Sequence, residues 1–290
     1  MSALSSRAAS KTLADHGDFR ILVRSSAEYY GILPALVLKD YWVTRVLRAI
    51  AGDPDLQRRV LFKGGTSLSK GWRLIDRFSE DVDLLLTGPD FGPPPDRTAA
   101  RKSLLKHVQA RVEADTPLRL PEQHSISRAE WNAVYIRTDD HSRLRYALPR
   151  IPEVPAGDAS GNAVVLESGF RGHPHPHERR SLGSMIAEYL QTRRDVVATL
   201  ADYHEDLASF EMDLLKPERT FAEKLMALDG DMRRGVEGAK DVPTRHYYDV
   251  AQLYAKHAGV RACVSSGGIR ALVRDVAEVS NRHFGATIDV

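Results

Sequence analysis

Only one cysteine, Cys263, occurs in the 290 residues of this chain. An internal disulfide is therefore impossible, a reducing compartment fits, and no cysteine-based metal site can be built. Long apolar runs are missing too. No stretch of about eighteen apolar residues occurs, so no membrane-spanning helix is expected. The opening residues, Met1-Ser2-Ala3-Leu4-Ser5-Ser6-Arg7, have no apolar core after their first charge, so no secretory signal is expected either and a cytoplasmic protein is. Charge of one sign is also scarce: 41 Lys and Arg face 39 Asp and Glu, a net charge of +2. That balance excludes a uniformly basic nucleic-acid-binding domain and leaves only local patches for such a contact. The candidates are Arg143, Arg145 and Arg150, the pairs Arg179-Arg180 and Arg193-Arg194, and Arg233-Arg234 with Lys240; solvated surface explains such pairs equally well. No internal repeat is present.

The chain does hold an ordinary globular composition, with 42% hydrophobic and 28% charged residues. Residues 13 to 51 carry helical periodicity in Leu36, Tyr41, Val43, Val46, Leu47 and Ile50, which predicts an N-terminal helical layer over residues 1–58. Gly52-Asp53-Pro54-Asp55 breaks it, and Gly88 to Pro95 closes the strand-turn-helix-strand unit that follows. A helix is expected over 97–114, with strands at 132–138, 144–149, 163–168 and 210–215. Beyond Arg179 the pattern is otherwise helical, with helices at 245–258 and 268–283 and a C-terminal lobe from 216 to 290. The fold class read from this is α+β: a small mixed sheet over 59–215 between N-terminal helices and a C-terminal helical lobe.

Within the core, Val60-Leu61-Phe62 reads as a buried strand and Gly64-Gly65 as a turn that lets backbone approach a ligand. Ser67 onward reads as a helix whose amide end attracts phosphate, with Lys63 and the Thr66 and Ser67 hydroxyls at hand; helix capping explains those hydroxyls as well. The next strand, Asp81-Val82-Asp83-Leu84-Leu85-Leu86, alternates faces, so Asp81 and Asp83 point the same way while Val82 and Leu84 pack opposite. Two carboxylates converging on one point suit Mg²⁺, which prefers oxygen ligands and keeps positions for water and substrate phosphates. A P-loop is excluded, because Lys70 is followed by Gly71 rather than closing a Gly-Lys-Ser/Thr ending.

The run Gly64-Gly65-Thr66-Ser67-Leu68, then Arg77-Phe78-Ser79-Glu80-Asp81-Val82-Asp83-Leu84, resembles the AbiEii/AbiGii-type toxins, including MenT-like toxins, of the DNA polymerase β-like nucleotidyltransferase superfamily. Leu38 to Thr44 resembles the family's N-terminal helix, and Val164-Val165-Leu166-Glu167-Ser168 the strand carrying a further acidic position. Thr220 to Leu225 resembles its lysine helix, and Arg245-His246-Tyr247-Tyr248-Asp249 its terminal Arg-x-x-x-Asp motif. The spacers 91–97 and 152–162 do not align.

The resemblance implies transfer of a nucleoside monophosphate from a nucleoside triphosphate, with Mg²⁺ on Asp81 and Asp83. It also implies that a third carboxylate helps activate an acceptor hydroxyl, with Glu167 and Asp249 the competing candidates. It implies as well that Lys224 binds triphosphate and that Asp249 has a site role with Arg245 beside it. An exposed strand Glu and a solvated helical Lys are the plain alternatives for Glu167 and Lys224. By spacing alone, Arg245 and Asp249 also fit an i,i+4 surface ion pair. Ser79, two residues before Asp81, shares its face, and the matching serine in related toxins is a silencing phosphorylation target. The acceptor implied is RNA, most of all a tRNA 3′ end, so that translation and growth stop until a cognate antitoxin protein neutralises the toxin. Transfer to a protein or small molecule uses the same motifs, and a nucleotide-sensing regulator without turnover is the non-enzymatic alternative. The histidines of Gly172-His173-Pro174-His175-Pro176-His177 could chelate zinc, but the prolines favour an extended solvated loop. Trp42, Trp72 and Trp131 read as core.

Overall fold

Residue order explains most of the architecture in the computed structural model, which describes residues 11–77, 79, 81–87, 96–137, 141–152, 154, 162–169, 172–236 and 244–284. Phe78, Glu80, the break at 88–95, Thr138, most of the spacer at 152–162 and Lys240 lie outside the described residues, as do the side chains of Arg97, Arg233 and Arg234. The elements run α1 (Phe19–Tyr30), α2 (Pro34–Ala51), α3 (Pro54–Arg59), β1 (Val60–Lys63), α4 (Gly64–Lys70), β2 (Asp81–Leu86) and α5 (Asp96–Asp115). Then come α6 (Arg128–Val134), β3 (Tyr135–Arg137), β4 (His141–Ala147), β5 (Ala163–Gly169), β6 (His177–Leu182), α7 (Met185–Leu190), α8 (Arg194–Thr199), α9 (His204–Leu207) and β7 (Phe210–Leu215). The C-terminal helices are α10 (Pro217–Val236), α11 (Thr244–Lys256), α12 (Ala258–Ser265) and α13 (Ile269–Phe284).

The strands form one mixed seven-stranded sheet in the order β3-β4-β5-β2-β1-β7-β6. β2 runs parallel to β5 and antiparallel to β1, and β1 runs parallel to β7. Alternation sorts the two faces. Val82, Leu84 and Leu86 join Val60, Phe62, Leu144, Val164, Leu166 and Leu214 in one apolar core with α1, α2 and α5. The opposite face carries Asp81 and Asp83 in β2, followed on the same face by Leu85, which packs with Leu61 and Leu215 in a small cluster of its own. The fold is α+β, as the pattern of elements predicts.

α2 starts at Pro34, which suits a first helical position because its missing N–H would be unpaired there anyway. Almost all of α2 is buried, charged groups included, and each charge has a partner. Asp40 takes the Lys70 ammonium at 2.7 Å and the Met185 amide at 2.7 Å, fixing α4 and α7 to α2. Arg45 donates to Asp206 at 2.7 Å, and the Tyr41 hydroxyl and Leu13 amide donate to the same carboxylate at 2.6 and 2.7 Å. Buried charges persist only when paired and hydrogen-bonded, and these clamps explain why Asp40, Tyr41 and Arg45 sit inside an otherwise apolar helix. A second, smaller core joins Leu68, Leu74 and Ile75 to Phe221, Leu253 and Val260, seating α4 against the C-terminal helices.

Local boundaries differ from the sequence expectations in ways that have causes. The helix expected from Ser67 begins at Gly64, with Lys63 at its N-cap, so the glycines are its first turn rather than a separate turn. The strand expected at 132–138 is helical to Val134, where Ser127 and Glu130 form a capping box, and extended only from Tyr135. His177–Leu182 is a strand that helical expectations missed; its alternation is weak because it is an edge strand with charged residues on both faces. The N-terminal helical stretch is two helices, split at Gly31 to Leu33. Among the described residues, no single helix is long and apolar enough to cross a membrane.

Candidate active site

Register across the sheet gathers the charged groups. Lys63 lies opposite Asp83, Asp83 opposite Glu167, and Glu167 opposite Arg143, so four neighbouring strands place one charged residue each in a single row. Asp81 stands two residues before Asp83 on the same face, opposite Val165. At the far end of the row, Arg143 pairs with Glu167 at 3.3 Å; at the near end, Lys63 reaches Glu223 of α10 at 3.3 Å. Burial, helped by the neighbouring Glu167 and Asp81 charges, pushes the Asp83 carboxyl up to about 7 against the pull of Lys63 and Lys224. For Lys63, burial works against the ammonium, but Glu223 and Asp83 outweigh it and hold its pKa above the usual value. Asp81, Asp83 and Glu167 thus share one face of the sheet, with Lys63 and Arg143 at the two ends of the row.

α4 closes over that row through its glycines. Gly64 has φ of +75°, and a Cβ there would overlap the Asp83 carboxylate. A Cβ on Gly65 would lie 2.6 Å from the Ser79 Oγ and 3.1 Å from an Arg77 nitrogen. Gly64 is therefore required by its positive φ and by the close approach of Asp83, whereas at Gly65 the neighbours are the ends of the Ser79 and Arg77 side chains, which can shift. Thr66 donates its hydroxyl to the Asp81 carbonyl, and Ser67 donates to the Gly64 carbonyl at 2.9 Å. These hydroxyls brace the backbone of α4 and of the strand beside it. Ser79 sits against Gly65 at the rim of a cavity of about 390 Å³, which Thr66, Lys70 and Arg77 also line. Gly64→Ala is expected to cost about 1–3 kcal/mol in the left-handed backbone alone and to abolish catalysis by displacing Asp83. Urea unfolding and a transfer assay check it, and wild-type activity in the variant would refute the close-approach argument.

The C-terminal helices supply the remaining charges. Lys224 on α10 lies 2.7 Å from Asp249 on α11, and Asp249 is wholly buried. Arg77 grips the same carboxylate with both its Nε, at 2.7 Å, and an Nη, at 2.5 Å. Burial opposes the Asp249 charge, but the Arg77 and Lys224 hydrogen bonds prevail and keep its carboxyl below the usual range. Arg245, by contrast, is exposed on the first turn of α11 and stands apart from this cluster, because Asp249 faces inward to Arg77 and Lys224. The i,i+4 surface pair is thus replaced by a buried triad.

Sequence reasoning missed Arg77 and Glu223 as site members. Arg77 follows no periodicity in its loop, and only its place in the motif before Asp81 could have flagged it. Glu223 precedes Lys224 on the same helix and was hidden by its neighbour. In the histidine loop, His173 faces Asp275 at 3.1 Å and His177 contacts the Pro174 carbonyl at 2.7 Å; no group of three or more His, Cys, Asp or Glu side chains that could hold a metal occurs among the described residues. Of the arginine pairs, Arg180 stacks over Trp72 at 4.6 Å and Arg193 over Tyr189 at 5.7 Å, while Arg179 pairs weakly with Asp213 at 3.8 Å. Trp42 is buried, as expected of a core residue, whereas Trp72 and Trp131 are only partly so.

A family model described as the nucleotidyl transferase AbiEii toxin of a type IV toxin–antitoxin system matches residues 45–287, which include every charged group of this site. No curated protein matches the chain.

Proposed function

The chain belongs to the AbiEii family of nucleotidyl transferase toxins from type IV toxin–antitoxin systems, and from that premise we propose that it transfers a nucleoside monophosphate from a nucleoside triphosphate to an RNA 3′ end, that of a tRNA above all. The observation that carries this reading is the row Lys63, Asp83, Glu167 across three paired strands, with Asp83 pushed up to about 7. A carboxylate raised mainly by burial, with two further carboxylates on its face, would be stabilised by a cation, and all-oxygen donors suit magnesium. Asp81 and Asp83 would hold Mg²⁺, which would neutralise phosphate charge and polarise the phosphoryl centre. Two protein carboxylates are the usual complement for this ion, since water and substrate phosphates complete its shell.

The protein's own groups then divide the work. The Gly64 and Gly65 amides, Lys63 and Lys224 would bind the triphosphate. Glu167 would take the proton of the acceptor hydroxyl as its oxygen bonds to the α-phosphorus and the bond to the β-phosphate oxygen breaks, releasing pyrophosphate. Positioning and charge compensation supply most of the acceleration, because phosphoryl transfer asks little covalent chemistry of a protein. Ser79, against Gly65, would carry a phosphate into this same space, adding about −1.5 to −2 of charge where the triphosphate belongs. Capping a tRNA end would block translation and growth in the cytoplasm, and the family's antitoxin partner would relieve it.

The test is incubation with each α-labelled nucleoside triphosphate, Mg²⁺, total cellular RNA and, separately, total protein. Label in RNA, with one nucleotide preferred, is the expected result. Label in protein alone would replace the acceptor, and triphosphate binding without any transfer would make the protein a nucleotide sensor instead.

A further inference from the structure

The row of charges has a direction. Lys63 on β1, beside the first turn of α4, marks the triphosphate side; Glu167 on β5 marks the acceptor side; and the next strand outward is β4. Strands lie about 4.8 Å apart, so a group on β4 sits roughly 10 Å from Asp83, beyond Glu167 and away from the triphosphate. That strand presents two arginines to the site face. Arg143 lies opposite Glu167, and Arg145 lies opposite Val165, which in turn lies opposite Asp81. Residues directly opposite in neighbouring strands share a face, so both side chains leave the sheet on the face that carries the carboxylates rather than on the core face. The core side of β4 is taken by Leu144 and Tyr146, both buried.

Resting on the nucleotidyl-transfer reading above, we propose that Arg143 and Arg145 form the acceptor subsite, gripping backbone phosphates of the polynucleotide strand whose 3′ hydroxyl approaches Glu167. Arg143 is suited to this because its side chain is 45% exposed and its pairing with Glu167 at 3.3 Å is a loose, solvent-reached contact. Such a contact is readily exchanged for phosphate, and the planar guanidinium can then hold two phosphate oxygens at once. Until the acceptor arrives, the same arginine keeps Glu167 beside Asp83. Lys63, on β1, lies on the other side of the carboxylates, two strands away from Glu167. The site is thus divided between two polyanions by the order of its strands, and a nucleic-acid acceptor needs no basic domain. This agrees with the chain's net charge of only +2.

Full-length Arg143→Gln, Arg145→Gln, the double variant and Arg143→Lys are assayed with labelled nucleoside triphosphate against total RNA, varying each substrate in turn. The expected result is an apparent KM for RNA raised about tenfold in each Gln variant and more in the double, with the KM for triphosphate within about twofold of wild type. Arg143→Lys recovers part of the loss. Equilibrium binding of the RNA against salt concentration is expected to lose about 0.7 from its slope per arginine removed, the value for a single strand. Melting curves establish that the variants fold. A raised KM for triphosphate, or a lowered kcat with the KM for RNA and the salt slope unchanged, would overturn the subsite and leave Arg143 as a positioning residue for Glu167. Transfer by wild type to protein but not to RNA would instead overturn the acceptor reading, and this inference with it; the two failures appear in different proteins and cannot be confused.

Discussion

Asp83→Asn is expected to abolish nucleotide transfer, by a thousandfold or more, while making the protein melt higher than wild type in metal-free buffer near pH 8. The two effects have one source. Asp83 is stripped of most of its water and has Glu167 and Asp81 beside it, so its carboxyl is pushed up to about 7 in the folded chain despite Lys63. The unfolded carboxyl titrates near 4, so between about pH 4 and 7 the folded state holds the extra proton and stability falls as pH rises through that window. Above it the folded protein carries the full penalty, about 1–2 kcal/mol after allowance for solvent at the rim of the site, and a neutral amide removes it. For a chain of this size that corresponds to a few degrees in melting temperature. At pH 4 wild type and variant should melt together. Mg²⁺ reverses the order: it is expected to raise the melting temperature of wild type and leave Asp83→Asn unmoved, since a ligand that binds only the native state stabilises it. A variant that kept even a tenth of wild-type transfer, or that showed the same Mg²⁺-induced shift, would remove Asp83 from the metal site.

The acidic strand was legible in the sequence because its information is local. Asp81 and Asp83 are two residues apart, so alternation alone puts them on one face, and the Leu84-Leu85-Leu86 run marks a buried strand. The glycines were legible as a close approach, but not their partner: that Gly64 yields to Asp83 depends on the antiparallel register of β1 and β2, which no spacing encodes. Glu167 opposite Asp83, and Arg143 opposite Glu167, are likewise facts of register. The edge strand β6 escaped notice because charge on both faces hides its period. Asp40 and Lys70 were readable only as members of a motif and a helix, yet they form one buried pair that seats α4. Spacing likewise favoured a surface partner for Asp249 at Arg245, one turn away, when the structure supplies Arg77 from 172 residues upstream. What the sequence withheld was long-range pairing.

That pairing gives the second large expectation, Asp249→Asn: transfer falls at least a hundredfold and stability drops by about 3–5 kcal/mol. The carboxylate is wholly buried and accepts from Arg77 twice and from Lys224 once. An amide in its place offers one acceptor oxygen where two cations need it and turns an N–H toward one of them, leaving a buried positive charge without a partner. On the proposed function Asp249 would then act by positioning Lys224, and its loss should register through that lysine. The KM for triphosphate is expected to rise while the KM for RNA stays near wild type, and Lys224→Ala should show the same split with a smaller loss of stability, because Arg77 still satisfies Asp249. Arg77→Lys should fall between, since an ammonium cannot grip both oxygens as the guanidinium does. A merely structural role would lower stability without separating the two KM values. A role as a metal ligand is distinguished by the Mg²⁺-induced rise in melting temperature, which should survive in Asp249→Asn because the carboxylate is already taken by three N–H groups. If that rise vanished in Asp249→Asn as it does in Asp83→Asn, or if the KM for triphosphate did not move, the clamp on Lys224 would be the wrong account of why this acid is buried.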